Sequence, residues 1–225
     1  MPNLTEVTKE AILCGMIMGD AGISKQHLYH GECRTGNVYL YWTHKEDNAD
    51  YSIWKKDLLE SLGYKISVGY GTTKQVNPAY TPTPYIRCRS RSLSEFLQLR
   101  SFWYNKLGKK QLHIEYLTQH FNAVSLAILY FDDGHIQTTG NRKTIVARIA
   151  TNSFTLEEHL FMQTLLIERF GIDVHIGHTR QYLRLDFGVK STQQLFDIIT
   201  PILKDVPSMQ YKLTGQELRD KKPAG

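Results

Sequence analysis

Ile12-Leu13-Cys14-Gly15-Met16-Ile17-Met18-Gly19-Asp20-Ala21 and Leu126-Ala127-Ile128-Leu129-Tyr130-Phe131-Asp132-Asp133-Gly134 are two apolar runs, each closed by an acid. Their acids, Asp20 and Asp133, align at an offset of 113 positions. Both runs are apolar on nearly every face, which suits helices buried centrally rather than helices with one wet side. Gly15 and Gly19 are four apart and so share a face, where missing side chains let a neighbouring backbone come close. Two such helices are expected to bury each other and bring their terminal acids together. Like charges at helix C-termini, where the macrodipole is already negative, destabilise a fold unless something offsets them. Taken singly, each aspartate reads as an ordinary turn residue. Taken as a pair, they point to a hard divalent cation. Ligation by carboxylates and backbone carbonyls, with no His or Cys nearby at ligand spacing, favours Mg²⁺ over zinc.

The rest of the chain is also written twice. Thr43 and Thr151 each close a strand-like segment, each is followed by an amphipathic helix, and the helices stop at Gly63 and Gly171, an offset of 108. Ile53 and Phe161, Leu58 and Leu166, and Leu59 and Ile167 superpose, and Val68-Gly69 and Ile176-Gly177 continue the register. Period-two strands follow, Tyr85-Ile86-Arg87-Cys88-Arg89 and Tyr182-Leu183-Arg184-Leu185-Asp186. Ser92 with Glu95, and Ser191 with Gln194, have the capping-box spacing and are expected to open the next helices. The pattern predicts an α/β (α+β) fold of two pseudo-symmetric αββαββα repeats, with residues 1–104 and 122–225 as the repeats and 105–121 as the linker.

The 225 residues carry a net charge of +5 and a pI near 9.0, a mild bias toward polyanionic partners. Cys14, Cys33 and Cys88 are far apart and form no C-x-x-C pair, as expected of reduced thiols in an intracellular protein. The apolar runs are much shorter than the roughly 20 residues of a membrane span. The N-terminus lacks the basic start and small-residue cleavage site of a signal peptide, so an intracellular location is expected, in an organelle or a prokaryotic cytoplasm.

Cys14 to Ala21 and Leu126 to Gly134 resemble the LAGLIDADG motif, with Asp20 and Asp133 in the place of its metal-binding acid. Ser208-Met209-Gln210-Tyr211-Lys212-Leu213 is similar to the C-terminal Met-x-Tyr-Lys-Leu segment of single-chain LAGLIDADG homing endonucleases. The resemblance covers roughly residues 8 to 213. It departs at Ile128, where the motif has a small glycine, and at Met18 and Phe131, which replace its first acid, so asymmetric packing is expected.

This resemblance implies a monomeric DNA-binding saddle with the motif helices at its interface. It implies hydrolysis of a phosphodiester bond in each strand of a long double-stranded site, leaving short 3′ overhangs, as in intron homing. Asp20 and Asp133, helped by the carbonyls of Gly19 and Asp132, would hold Mg²⁺, with Mn²⁺ substituting and Ca²⁺ binding without cleavage. Lys110, or its neighbour Lys109, and Lys212 match the family's basic catalytic positions. Alternation puts Arg87, Arg89 and Arg91 on one strand face and Tyr182, Arg184 and Asp186 on another, as DNA-reading sheets require; a solvated face would look alike. His27, Tyr29, His135, Gln137 and Arg148 are weaker DNA-binding candidates on the same argument. An intron maturase that binds structured intron RNA is the alternative, and a non-catalytic DNA-binding regulator is a third reading. Both acids are retained, which favours cleavage.

Overall fold

A computed structural model describes residues 6–25, 28–29, 32–33, 38–74, 81–139, 144–179 and 182–214. The first repeat runs α1 (Lys9–Met18), β1 (Gly22–Ile23), β2 (Leu28–Tyr29), β3 (Glu32–Cys33), β4 (Leu40–Lys45), α2 (Ala49–Ser61), β5 (Ile66–Thr72), β6 (Pro84–Ser90) and α3 (Ser94–Trp103). After α4 (Ile114–His120), inside the segment read as a linker, come α5 (Ala123–Asp133), β7 (Gly134–Thr139), β8 (Thr144–Ala150), α6 (Leu156–Phe170), β9 (Val174–Thr179), β10 (Tyr182–Phe187), α7 (Val189–Leu203) and α8 (Tyr211–Thr214). Two four-stranded antiparallel sheets result, ordered β1-β4-β6-β5 and β7-β8-β10-β9, so each repeat orders its strands alike. This is the α+β architecture of two αββαββα repeats that the duplicated pattern predicts. Among the described residues no helix is long and apolar enough to cross a membrane.

Packing sorts the chain into two compact units, Asp20–Trp103 and Met1–Gly19 with Tyr104–Gly225. In the first, strict alternation decides which face is dry. Leu40, Trp42, Ile86 and Cys88 are buried, while Tyr41, Thr43, Arg87 and Arg89 between them are exposed. Helix α2 covers the dry face and ends beside Gly63, whose φ of 91° favours a residue without a Cβ. Phe96 of α3 stacks on Tyr64, with ring centroids 5.7 Å apart. Cys88 is buried here and Cys14 in the other unit; burial pushes both thiols up, Cys88 to about 11, so neither is poised to react.

The second unit is built around α1 against α5. Thr8 caps α1 by accepting from the Ala11 amide at 3.2 Å, and the Gly19 amide returns to the Gly15 carbonyl at 3.0 Å. Helix α5 starts in a capping box between Asn122 and Ser125, and the Ser125 hydroxyl also donates to the Ala11 carbonyl at 2.7 Å. A Cβ added to Gly15 would meet the Ser125 carbonyl oxygen at 2.6 Å and Ile128 Cβ at 2.8 Å, and one on Gly19 would strike Asp132. Each glycine therefore faces its counterpart at the 113 offset, and the expected asymmetry is visible: a bare glycine on α1 receives an isoleucine side chain from α5.

Helix boundaries depart from the capping expectation in two places. Helix α7 starts at Val189 after Gly188, so Ser191 lies inside it and donates its hydroxyl to the Asp173 carbonyl at 2.5 Å, a tertiary partner in place of its own amides. Helix α3 starts at Ser94, so Leu93 rather than Ser92 precedes it. A second capping box of this repeat, beside that of α5, sits at Thr155 and Glu158 and opens α6, which ends at Gly171 with φ 66°.

Gly15→Val tests the helix contact. Valine would collide with backbone as well as side chain, so a loss of about 1–3 kcal/mol or more is expected. Thermal unfolding of the variant and its parent measures it; an unchanged midpoint would mean that α1 and α5 do not meet at Gly15.

Candidate functional site

Helix α1 hands the chain directly to Asp20, and α5 ends in Asp132 and Asp133, because each apolar run stops at its acid. Both C-termini carry orphan carbonyls, and a lysine reaches each. Lys110 Nζ donates to the Gly19 carbonyl at 2.5 Å, and Lys212 Nζ donates to the carbonyls of Phe131 at 2.6 Å and Asp132 at 3.1 Å. Gly19 and Asp132 are counterparts at the 113 offset, so the two clamps are equivalent. Lys212 is buried, and its own carbonyl accepts from the Tyr130 hydroxyl at 2.8 Å, which anchors the tail that carries it. A cation at a helix C-terminus is favourable, so these ammonium groups offset part of the negative end of each helix. Lys109 is exposed, and the clamp selects Lys110 from that pair.

In the other unit His44 comes to Asp20, with Nδ1 3.6 Å from Oδ2. His44 Nε2 lies 2.8 Å from Nζ of Lys55, a fully buried lysine whose ammonium also sits 4.4 Å from the centre of the Tyr51 ring. The sequence reading missed both. Its signal was a polar residue at the place in β4 where alternation with Leu40 and Trp42 demands a core residue. Potential ligand atoms for a cation are thus the Asp20 carboxylate and the His44 ring nitrogen in one unit, and the carboxylates of Asp132 and Asp133 and the Gly19 carbonyl in the other.

The exposed sheet faces carry the residues singled out for DNA. On β6, Arg87 lies opposite Thr43 and Gly69, and Arg89 opposite Tyr41 and Ser67. Arg89 stacks on Tyr39 at 3.6 Å, and Arg87 Nε donates to the Thr43 hydroxyl at 3.4 Å and lies 5.4 Å from the Tyr85 ring. These three partners were not foreseen. Arg91 lies just past β6, where its amide donates to the Lys65 carbonyl. On the second sheet Arg148 faces His135 and Asp186, and Arg184 faces Ala150 and Gly177. Burial, then Arg148, Lys212 and Arg184, push the His135 imidazole below its ordinary value, against an opposing pull from Asp186. Gln137 is half-buried on β7 and Tyr182 is exposed on β10. Tyr29 lies on β2, and His27 lies outside the described residues.

A model of the LAGLIDADG DNA endonuclease family matches residues 10–195, which includes both acid-terminated helices and both sheets. The chain belongs to the LAGLIDADG DNA endonuclease family. It is 33% identical over 122 residues to the intron-encoded endonuclease ai4 of Dictyostelium discoideum, an alignment covering 52% of this chain and 70% of that one. It is 26% identical over 215 residues to an uncharacterized protein of Methanocaldococcus jannaschii, covering 95% and 76% of the two chains. The solved structure of the homing endonuclease I-WcaI bound to its DNA recognition sequence superposes with a TM-score of 0.75 over 95% of this chain and 88% of that one. At 21% identity that likeness concerns the fold. In this LAGLIDADG protein α1 and α5 are the motif helices, and Asp20 and Asp133 lie at their C-terminal ends.

Lys212→Met tests the clamp as structure. It keeps most of the side-chain volume but strands two α5 carbonyls, so a loss of about 1–3 kcal/mol is expected. Chemical denaturation without DNA or metal reads it. Stability equal to the parent would mean that water satisfies those carbonyls as well as Lys212 does.

Proposed function

We propose that this LAGLIDADG protein is a monomeric, site-specific homing endonuclease that hydrolyses one phosphodiester in each strand of a long double-stranded DNA target, leaving short 3′ overhangs. Family membership together with an acid retained at the end of both motif helices carries the reading. A maturase or a regulator on the same scaffold has no need of two acids at helix C-termini, where they cost stability.

The donor set fits a hard divalent cation: Asp20, Asp132 and Asp133 offer carboxylates, and Gly19 and Asp132 offer carbonyls. Asp20 and Asp133 are assigned as its principal ligands. When bound there, Mg²⁺ supplies a lowered pKa for attacking water and stabilisation of the leaving 3′ oxygen. Lys110 and Lys212 hold the carbonyls beside those acids and place positive charge where phosphate charge develops. His44 orients the Asp20 carboxylate, and Lys55 in turn holds His44. Arg87, Arg89 and Arg91 on the first repeat, and His135, Gln137, Arg148, Tyr182, Arg184 and Asp186 on the second, form the DNA-facing set. Arginine suits this task because its fork matches the paired acceptors of guanine in the major groove.

Asp20→Asn and Asp133→Asn are each expected to abolish double-strand cleavage in Mg²⁺ and to leave site-specific binding in Ca²⁺ largely intact. The amide keeps the carboxylate's shape and removes its charge, while binding energy comes mainly from phosphate contacts and the sheets. Gel assays on a target selected from a randomised duplex library measure both; cleavage near the parental rate by either variant would return that aspartate to a turn role. Arg87→Ala should relax base preference at a few positions, by about 1–3 kcal/mol at each base pair lost. Uniform weakening on every sequence would instead make Arg87 a backbone contact.

A further inference from the structure

Asp186 sits on a face otherwise suited to a polyanion, and it is fully engaged there. Its Oδ1 accepts from Arg184 Nε at 2.7 Å and its Oδ2 from Arg184 Nη2 at 3.3 Å, while Arg148 Nε lies 2.9 Å from Oδ1. The three side chains keep only 19–26% exposure, so water screens them less than an ordinary surface pair. The arrangement follows from register. Asp186 of β10 lies directly across from Arg148 of β8, and Arg184 is two residues along the same face, across from Gly177 of β9. Gly177 makes the room: a Cβ there would run into the Asp186 carboxylate and approach Arg184 Nε at 3.3 Å. Its counterpart at the 108 offset, Gly69, meets nothing within 4 Å. The first sheet carries Arg87 and Arg89 at the places equivalent to Arg184 and Asp186, and its exposed face has no acid among the described residues.

We propose that Asp186 is a specificity-determining positioning residue, which binds Arg148 and Arg184 into one two-guanidinium reader for neighbouring guanine-containing base pairs, with Gly177 as the gap that admits it. The proposal rests on the sheets reading DNA. Alone, a carboxylate on this face would either accept from a cytosine amino group or repel phosphate. Held between two guanidinium groups, it leaves a net charge of about one positive unit on three side chains and restricts the rotamers from which both arginines search for bases. Arg184 gives its Nε–Nη2 edge to Asp186. Arg87 and Arg89, steadied by tyrosine rings and a threonine, read as independent side chains.

The test uses the full chain and a randomised duplex library, with binding in Ca²⁺ and folding checked by thermal unfolding, for the parent, Asp186→Asn, Gly177→Ala, Arg148→Ala and Arg184→Ala. Asp186→Asn is expected to bind non-specific duplex more tightly, with a salt slope steeper by about one. It should also lose preference, by about 5- to 100-fold, at the positions that both arginine variants lose. Gly177→Ala displaces the carboxylate without changing charge and should lose the same preferences with an unchanged salt slope. Loss at one cytosine-containing pair alone, with both arginine-read positions kept, would make Asp186 a direct reader and overturn the proposal. Parental preference in both variants would leave the triad a fold contact and overturn it equally. A parent that selects no duplex sequence would sink the DNA-reading function itself, and the proposal with it.

Discussion

The close approach of α1 and α5 governs much of what surrounds it. Two helices that touch at Gly15 and Gly19 can have no wet face there, which is why both runs are apolar nearly all round. The same approach places the C-terminal carbonyls of both helices where unpaired backbone would be costly. Lys110 and Lys212 answer that cost from outside the repeats' regular elements, one from the segment before α4 and one from the tail at α8. A segment read as a linker and a segment near the C-terminus thus come to the ends of the two helices, because each has a carbonyl to close.

Symmetry in this protein is strict where packing demands it and relaxed where chemistry does not. Strand order, the glycines after α2 and α6, and the lysine clamps repeat between halves. The surroundings of the acids do not repeat. Asp20 has a histidine backed by a buried lysine, whereas the α6 residue matching Tyr51 at the 108 offset is His159, which bonds Thr151 at 2.6 Å inside the core. The sheets differ in the same manner, aromatic stacking on one and an ion-pair triad on the other.

Much of the candidate site is named in the chain because motif residues are local. Asp20 and Asp133 are named by the runs they terminate, and Arg87 and Arg184 by the alternation of single strands. His44, Lys55 and Gly177 were not, since each acquires its role from a partner on another element. His44 could have been suspected as a polar residue on the dry side of β4. Gly177 looks like an ordinary strand glycine until the carboxylate that fills its empty place is known.

The sequence by itself determined the duplicated αββαββα plan, the dry and wet faces of β6, and the helix stops at Gly63 and Gly171. Those properties follow from periods of two and 3.6, from turn residues and from repetition, all written in neighbouring positions. Tertiary structure alone decided that Lys110 rather than Lys109 closes Gly19, that Ser191 bonds Asp173 in place of capping α7, and that Asp186 serves two arginines. Each of these depends on which hydrogen-bond donor reaches a given acceptor first. Apart from the Arg184–Asp186 contact, two residues apart, that is settled by strand register and helix contact at sequence separations from 18 upward, and no local pattern encodes it.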